Sequence, residues 1–145
     1  MRASLARLAL LASSLAMTAC AAAPEDDNTP LALADSAWTL AGASAGPMMK
    51  GGASGTVTLA FAADRISGSG GCNRYQATYT LAGNTLTVGP VGATKIGCQD
   101  ERGEIERGWF SVLGGPLTVT RAGDRLVLRD AVGVTYSLLP ASAEK

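Results

Sequence analysis

Among the residues of this chain that could act as nucleophiles or metal ligands are three cysteines, Cys20, Cys72 and Cys98, and a run of carboxylates after the last of them. Histidine is absent altogether. Its absence removes the commonest general base, the Ser/His/Asp and Cys/His nucleophile arrangements, and the commonest metal ligand. Cys72, followed by Asn73 and Arg74, could serve as a thiolate nucleophile with Arg74 lowering its pKa, but an exported cysteine that has a potential partner is more commonly oxidised. Cys72 and Cys98 make a poor zinc site, because no paired C-x-x-C spacing accompanies them. Asp100, Glu101 and Glu104 could do acid–base work or hold calcium. Without a second acidic cluster or the spacing of a calcium loop, they read better as the solvated face of a helix. The expectation is a chain with no catalytic residues, no cofactor and no metal.

The elements that must position these residues are mostly short strands. Tyr75, Ala77, Tyr79 and Leu81 alternate with Gln76, Thr78 and Thr80, the period of a strand packed on one side. Ala82, Gly83 and Asn84 then supply turn residues, and Thr85 to Val88 resumes the alternation, so the run reads as a hairpin. Upstream, Ile66, Gly68, Gly70 and Cys72 share a face, and glycines so dense in a strand mark a bulge or a close backbone approach. Val57, Leu59 and Phe61 form an earlier strand, joined to the Ile66 segment through Ala63 to Arg65. Leu117 and Val119 lead through Ala122, Gly123 and Asp124 to Leu126 and Leu128, and Val132, Val134, Tyr136 and Leu138 fall on one face of a last strand. Trp38 and Leu40 open the folded part on a strand of their own, with Trp38 read as core. Gly42 to Gly55 reads as a loop, with a short strand conceivable near Met48 to Lys50.

One segment has a different period. From Gln99 to Leu113, Ile105, Trp109, Val112 and Leu113 recur at helical spacing among charged residues, with acids toward the start and Gly114, Gly115 and Pro116 at the end. Gly103 and Gly108 weaken this helix by roughly 1 kcal/mol each relative to alanine, so it must be stabilised by packing. The fold class expected is mainly β: about eight short antiparallel strands in a partly closed barrel, with one packed helix over about 99–113.

The run GGCNRYQATYTLAGNTLTVGP, then ATKIGC and ERGWFSVL, resembles the META domain of HslJ-type heat-shock lipoproteins. The residues that carry the resemblance are Gly71, Cys72, Asn73, Arg74 and Tyr75, the Gly83 and Leu86 turn, Thr94 and Cys98, and Glu106, Trp109 and Leu113. It extends from about Trp38 to about Leu139 and implies the same barrel shape. It also implies a protein known by its envelope location and its association with stress rather than by a reaction.

The N-terminus reads as an export signal. Arg2 and Arg7 precede an apolar run from Leu8 to Ala16, too short to cross a bilayer, which ends in small residues. Leu15 to Cys20 resembles a bacterial lipobox, although Met17 stands where leucine is usual. Residues 1–19 are therefore expected to be a signal peptide, and 20–35 a lipidated Cys20 followed by an acidic, proline-punctuated tether. Residues 36–140 then form the domain. Ala21 after the cysteine points to the outer membrane, facing the periplasm; a soluble periplasmic product is the alternative. Signal cleavage removes two of the twelve basic residues against twelve acids, a balance that offers no electrostatic footprint for nucleic acid.

With Cys20 acylated, Cys72 and Cys98 remain in an oxidising compartment, either bridged or as two buried thiols. A bridge would stabilise the fold by roughly 3–4 kcal/mol on the chain-entropy model. Arg74 could contact a carboxylate or phosphate, or pair structurally with Glu104 or Glu106 while Asn73 satisfies backbone groups in a bulge. The function expected is a non-enzymatic envelope lipoprotein that supports envelope integrity or stress and antibiotic tolerance through a partner. The alternatives are a periplasmic carrier with an apolar ligand inside the barrel and, remotely, a hydrolase.

Overall fold

The computed structural model describes residues 31–46, 48 and 57–141. The signal segment, Cys20 and most of the tether lie outside the described residues, as does most of the strand considered near Met48 to Lys50; Met48 itself is buried. No helix among the described residues is long and apolar enough to cross a membrane.

Among the described residues, nine antiparallel strands and one helix follow in the order β1 (Ser36–Ala43), β2 (Thr58–Phe61), β3 (Arg65–Ser69), β4 (Arg74–Ala82), β5 (Thr85–Val88), β6 (Gly92–Ala93), α1 (Glu101–Leu113), β7 (Leu117–Ala122), β8 (Arg125–Arg129) and β9 (Thr135–Pro140). The ladder runs β3-β2-β1-β9-β8-β7-β5-β4, and pairing of β3 with β4 from Arg65↔Thr78 to Ser69↔Arg74 closes it. The barrel is thus closed rather than partly closed. Two of its seams are short: β5–β7 registers only Thr85↔Thr118 and Leu86↔Leu117, and β2–β3 only Ala60↔Ser67 and Phe61↔Ile66. β6 is the strand the alternation did not reveal. It pairs with the first residues of β4 at Tyr75↔Ala93 and Gln76↔Gly92, while the far end of β4 pairs with β5.

Alternation explains which side chains fill the interior. Leu40, Leu59, Ile66, Leu86, Leu117, Val119, Leu126, Leu128 and Leu138 have no exposed surface, and each sits at an inward position of its strand. Both two-residue hairpin loops place glycine at positive φ, Gly83 at 58° and Gly123 at 63°, where a β-carbon would be strained. The close approach expected in the glycine-dense strand occurs at Gly68, where an added Cβ would lie 2.0 Å from the carbonyl oxygen of Thr58. Val132 departs from expectation. It lies in the turn before β9 and is 86% exposed, because the Asp130 side chain accepts from the amides of Val132 and Val134 and bends the chain there.

α1 begins at Glu101, two residues after Gln99: Asp100 is its N-cap, accepting from the Arg102 amide, with Glu101 and Glu104 in the first turn. Ile105, Trp109, Val112 and Leu113 enter the core. Phe110 meets Tyr75 of β4 edge-on at 5.6 Å between ring centroids, and Trp109 meets Tyr136 of β9 at 6.5 Å. Gly103, read from sequence as a weakness, is a packing requirement, since a Cβ there would lie 2.2 Å from the Cys98 carbonyl oxygen.

Candidate functional site

The residues of the sequence motif converge where the turn between β3 and β4 meets the 94–98 segment and the first half of α1. Gly71 forms the turn at φ 112°, and a side chain there would press on the Arg102 carbonyl oxygen at 3.3 Å. Cys72 and Cys98 are joined by a disulfide with Cα atoms 6.1 Å apart, so the bridged alternative is the one the fold adopts.

Between the two halves of this staple lies Asn73, only 5% exposed. Its Oδ1 accepts from the Ile96 amide at 2.7 Å and the Thr94 hydroxyl at 2.8 Å. Its Nδ2 donates to the Ile96 carbonyl at 3.1 Å and to Glu106 Oε1 at 2.7 Å. All the hydrogen-bonding capacity of an amide side chain is therefore used. Glu106 reaches back from α1, and its Oε2 accepts from the amides of Cys72, at 3.2 Å, and Asn73. Thr94 Oγ1 also accepts from the Arg74 amide at 3.2 Å, and the Thr94 amide donates to the Arg74 carbonyl at 3.0 Å. One amide, one carboxylate and one hydroxyl thus bind three chain segments to each other.

This geometry corrects one expectation. Arg74 does not pair with Glu104 or Glu106; the sole salt bridge among the described residues joins Arg102 to Asp100 at 2.9 Å on the surface. Glu106 is engaged by Asn73 instead, and the Arg74 side chain points into solvent. Asn73 does satisfy backbone groups, but those of Ile96 across the gap rather than those of a local bulge. Ile96 was not legible as a site residue, because it takes part through its main chain.

A model of the META domain matches residues 31–143. The chain belongs to the META domain family. No curated protein matches it significantly. Among solved structures, this META domain is similar to an NMR structure of a protein from Burkholderia xenovorans, with a TM-score of 0.65 and 24% identity over 91% of this chain and 99% of that one. It is also similar to a second NMR structure, with a TM-score of 0.60 and 21% identity over 77% of this chain and 94% of the other. At that identity the likeness speaks to the fold alone.

The remaining motif residues of this META domain are core. Tyr75 is buried and donates from its hydroxyl to the Thr58 carbonyl at 2.9 Å. Burial pushes its pKa well above the ordinary tyrosine value, and the nearby Trp109 N–H opposes this only in part. That phenol stays protonated at any physiological pH and is no general base. The Trp109 indole N–H forms no hydrogen bond among the described residues, and Leu113 is wholly buried. No group of three or more acidic or cysteine side chains could hold a metal ion among the described residues. The inward-facing side chains named above are buried inside the barrel.

Among the described residues, two clefts that open to solvent adjoin these elements. One, of about 500 Å³, lies between the C-terminal half of α1 and the 130–136 turn, with Met48, Val112 and Tyr136 among its walls. The other, of about 520 Å³, lies on the outer face where β3, β4 and β6 adjoin, walled by Ser67, Arg74, Gln76 and Thr94 with Gly92 and Ala93.

Proposed function

We propose that this META-domain protein is a non-catalytic, envelope-anchored binding module. In this reading it is exported, acylated at Cys20 and held by its tether at the outer membrane, where it supports envelope integrity or stress and antibiotic tolerance through a protein partner. The observation that carries the non-catalytic part is the occupancy of Glu106. Both oxygens of the one carboxylate inside the motif are engaged by Cys72 and Asn73, and a carboxylate so engaged is poorly placed to exchange protons with a substrate. With Cys72 in a disulfide and no histidine in the chain, the motif lacks a nucleophile and base. The lipobox-like Leu15 to Cys20 run supports the anchoring part, and attachment through several acyl chains would be firm whereas one chain binds only marginally.

The test is crosslinking and affinity capture from intact envelopes, comparing the acylated protein with the Cys20→Ala variant, alongside stress survival of a strain lacking the protein. The reading expects an envelope protein captured in the acylated form and lost or reduced with Cys20→Ala, together with impaired survival. Capture of no envelope protein, with normal survival, would overturn it.

A further inference from the structure

The 92–96 segment carries an unclaimed strand edge. The Thr94 amide turns toward β4, and both main-chain groups of Ile96 are taken by the Asn73 side chain. Alternation along an extended chain then directs the amides and carbonyls of Ala93 and Lys95 the other way. β6 ends the strand order, and no strand or loop among the described residues pairs with it on that side. Residues 92–97 are all exposed, and Ile96 keeps 63% of its surface in solvent. Because Asn73, Thr94 and the disulfide already hold the segment extended, a strand added to it would cost little ordering of the receptor.

A cleft adjoins this edge, and glycine maintains it. Gly92 faces Gln76 on the outer surface, and a Cβ there would meet nothing nearer than the Gln76 carbonyl oxygen at 3.9 Å. Its φ lies outside the left-handed region. Neither backbone conformation nor packing therefore demands glycine at this position, although a strand loses stability by having it. What the missing side chain does is leave the cleft open beside Arg74.

We infer that the edge of residues 92–96 and the adjoining Arg74 cleft receive an extended, acidic peptide segment of a partner protein by strand addition. The inference rests on the partner reading above and gives that partner a chemistry. Main-chain groups of Ala93 and Lys95 supply affinity, and alternate side chains of the peptide fall into the cleft or onto Ile96. Arg74 and Lys95 are cations without an ion-pair partner among the described residues, and no carboxylate lines the cleft, so acids are favoured there. The same two cations disfavour a second copy of this chain, whose own Arg74 and Lys95 would be brought against them; edge lysines commonly guard strands in this way.

The test uses a fluorescein-labelled octapeptide alternating glutamate with valine, titrated against the disulfide-bonded protein and followed by anisotropy and amide NMR shifts. Saturable binding with shifts confined to 65–76 and 91–97 is expected, with binding about tenfold weaker or worse for Arg74→Glu, for Gly92→Val and for a peptide N-methylated through its centre. A lysine–valine counterpart should not bind. Absence of binding, equal binding of the lysine peptide, or indifference to N-methylation would overturn the inference. Thermal melts of both variants confirm folding, and the N-methylated peptide tests the edge without altering the protein. If the Arg74→Glu and Gly92→Val proteins still capture the envelope partner as the unaltered protein does, the edge is wrong and the partner reading stands. If peptide binding behaves as expected but no envelope partner is captured, the partner reading fails alone.

Discussion

Asn73 of the β3–β4 turn and Glu106 of α1 meet through two contacts at once: the Asn73 amide side chain donates to Glu106 Oε1 at 2.7 Å, and the Asn73 backbone amide donates to Oε2. A helix and a turn 33 residues apart in sequence are thereby joined by charge-assisted hydrogen bonds at a nearly buried position, where such bonds are worth more than on the surface. The densest part of the META motif is accounted for by this latch and by the disulfide beside it.

The disulfide should be a large but not sole contributor. Replacing both Cys72 and Cys98 with serine is expected to lower unfolding free energy by about 3–4 kcal/mol while leaving a folded barrel, since the Asn73 contacts do not depend on the bridge. Urea denaturation of the double variant, with amide NMR to confirm the fold, checks this.

Glycines of this chain divide by what surrounds them. Gly103→Ala and Gly68→Ala would each force a Cβ to about 2 Å from a carbonyl oxygen, and should destabilise by about 1–3 kcal/mol or more, despite the better helix propensity of alanine at position 103. Gly92→Ala, with open space around it, should be neutral or slightly stabilising. Thermal melting of the three variants side by side tests the ordering.

Alkaline pH should unfold the domain through its tyrosines. Tyr136 is pushed from 10.0 up to about 12 by burial and by the Asp130 carboxylate, which accepts its hydroxyl at 3.0 Å; burial raises Tyr75 as well. A raised pKa means the unfolded chain releases its proton first, so stability is intact below pH 10 and falls as pH rises from there through about 12. Denaturant midpoints measured from pH 8 upward should show that decline, and Tyr136→Phe should make it shallower.

Arg74→Ala should leave the melting temperature within error of the unaltered protein. Its side chain makes no ion pair among the described residues and is exposed, and such surface changes usually cost within about 0.5 kcal/mol. A clear drop in melting temperature would restore the pairing with a helix acid that the structure replaces.

Much of the architecture was legible because it depends on local signals. Hairpins announced themselves through alternation and through Gly83-Asn84 and Gly123-Asp124, and α1 through its Ile105, Trp109 and Leu113 spacing. Closure of the barrel was not legible, because it rests on long-range ladders, one of them two residue pairs long. Val132 continued the alternation of β9 but belongs to a turn bent by Asp130, a hydrogen-bonding choice that hydrophobic period does not register. At the site, the motif residues were identifiable, but not which of them would pair. Asn73 rather than Arg74 met Glu106, and Ile96 contributes only main-chain groups that any residue but proline would supply.

The central claim is that the motif is a structural latch, and a double-mutant cycle of Asn73→Ala and Glu106→Ala by urea denaturation tests it most directly. Each single variant should lose about 2–4 kcal/mol, and the double variant should lose less than their sum by at least about 1 kcal/mol. Strictly additive losses, or single variants as stable as the unaltered protein, would contradict the account.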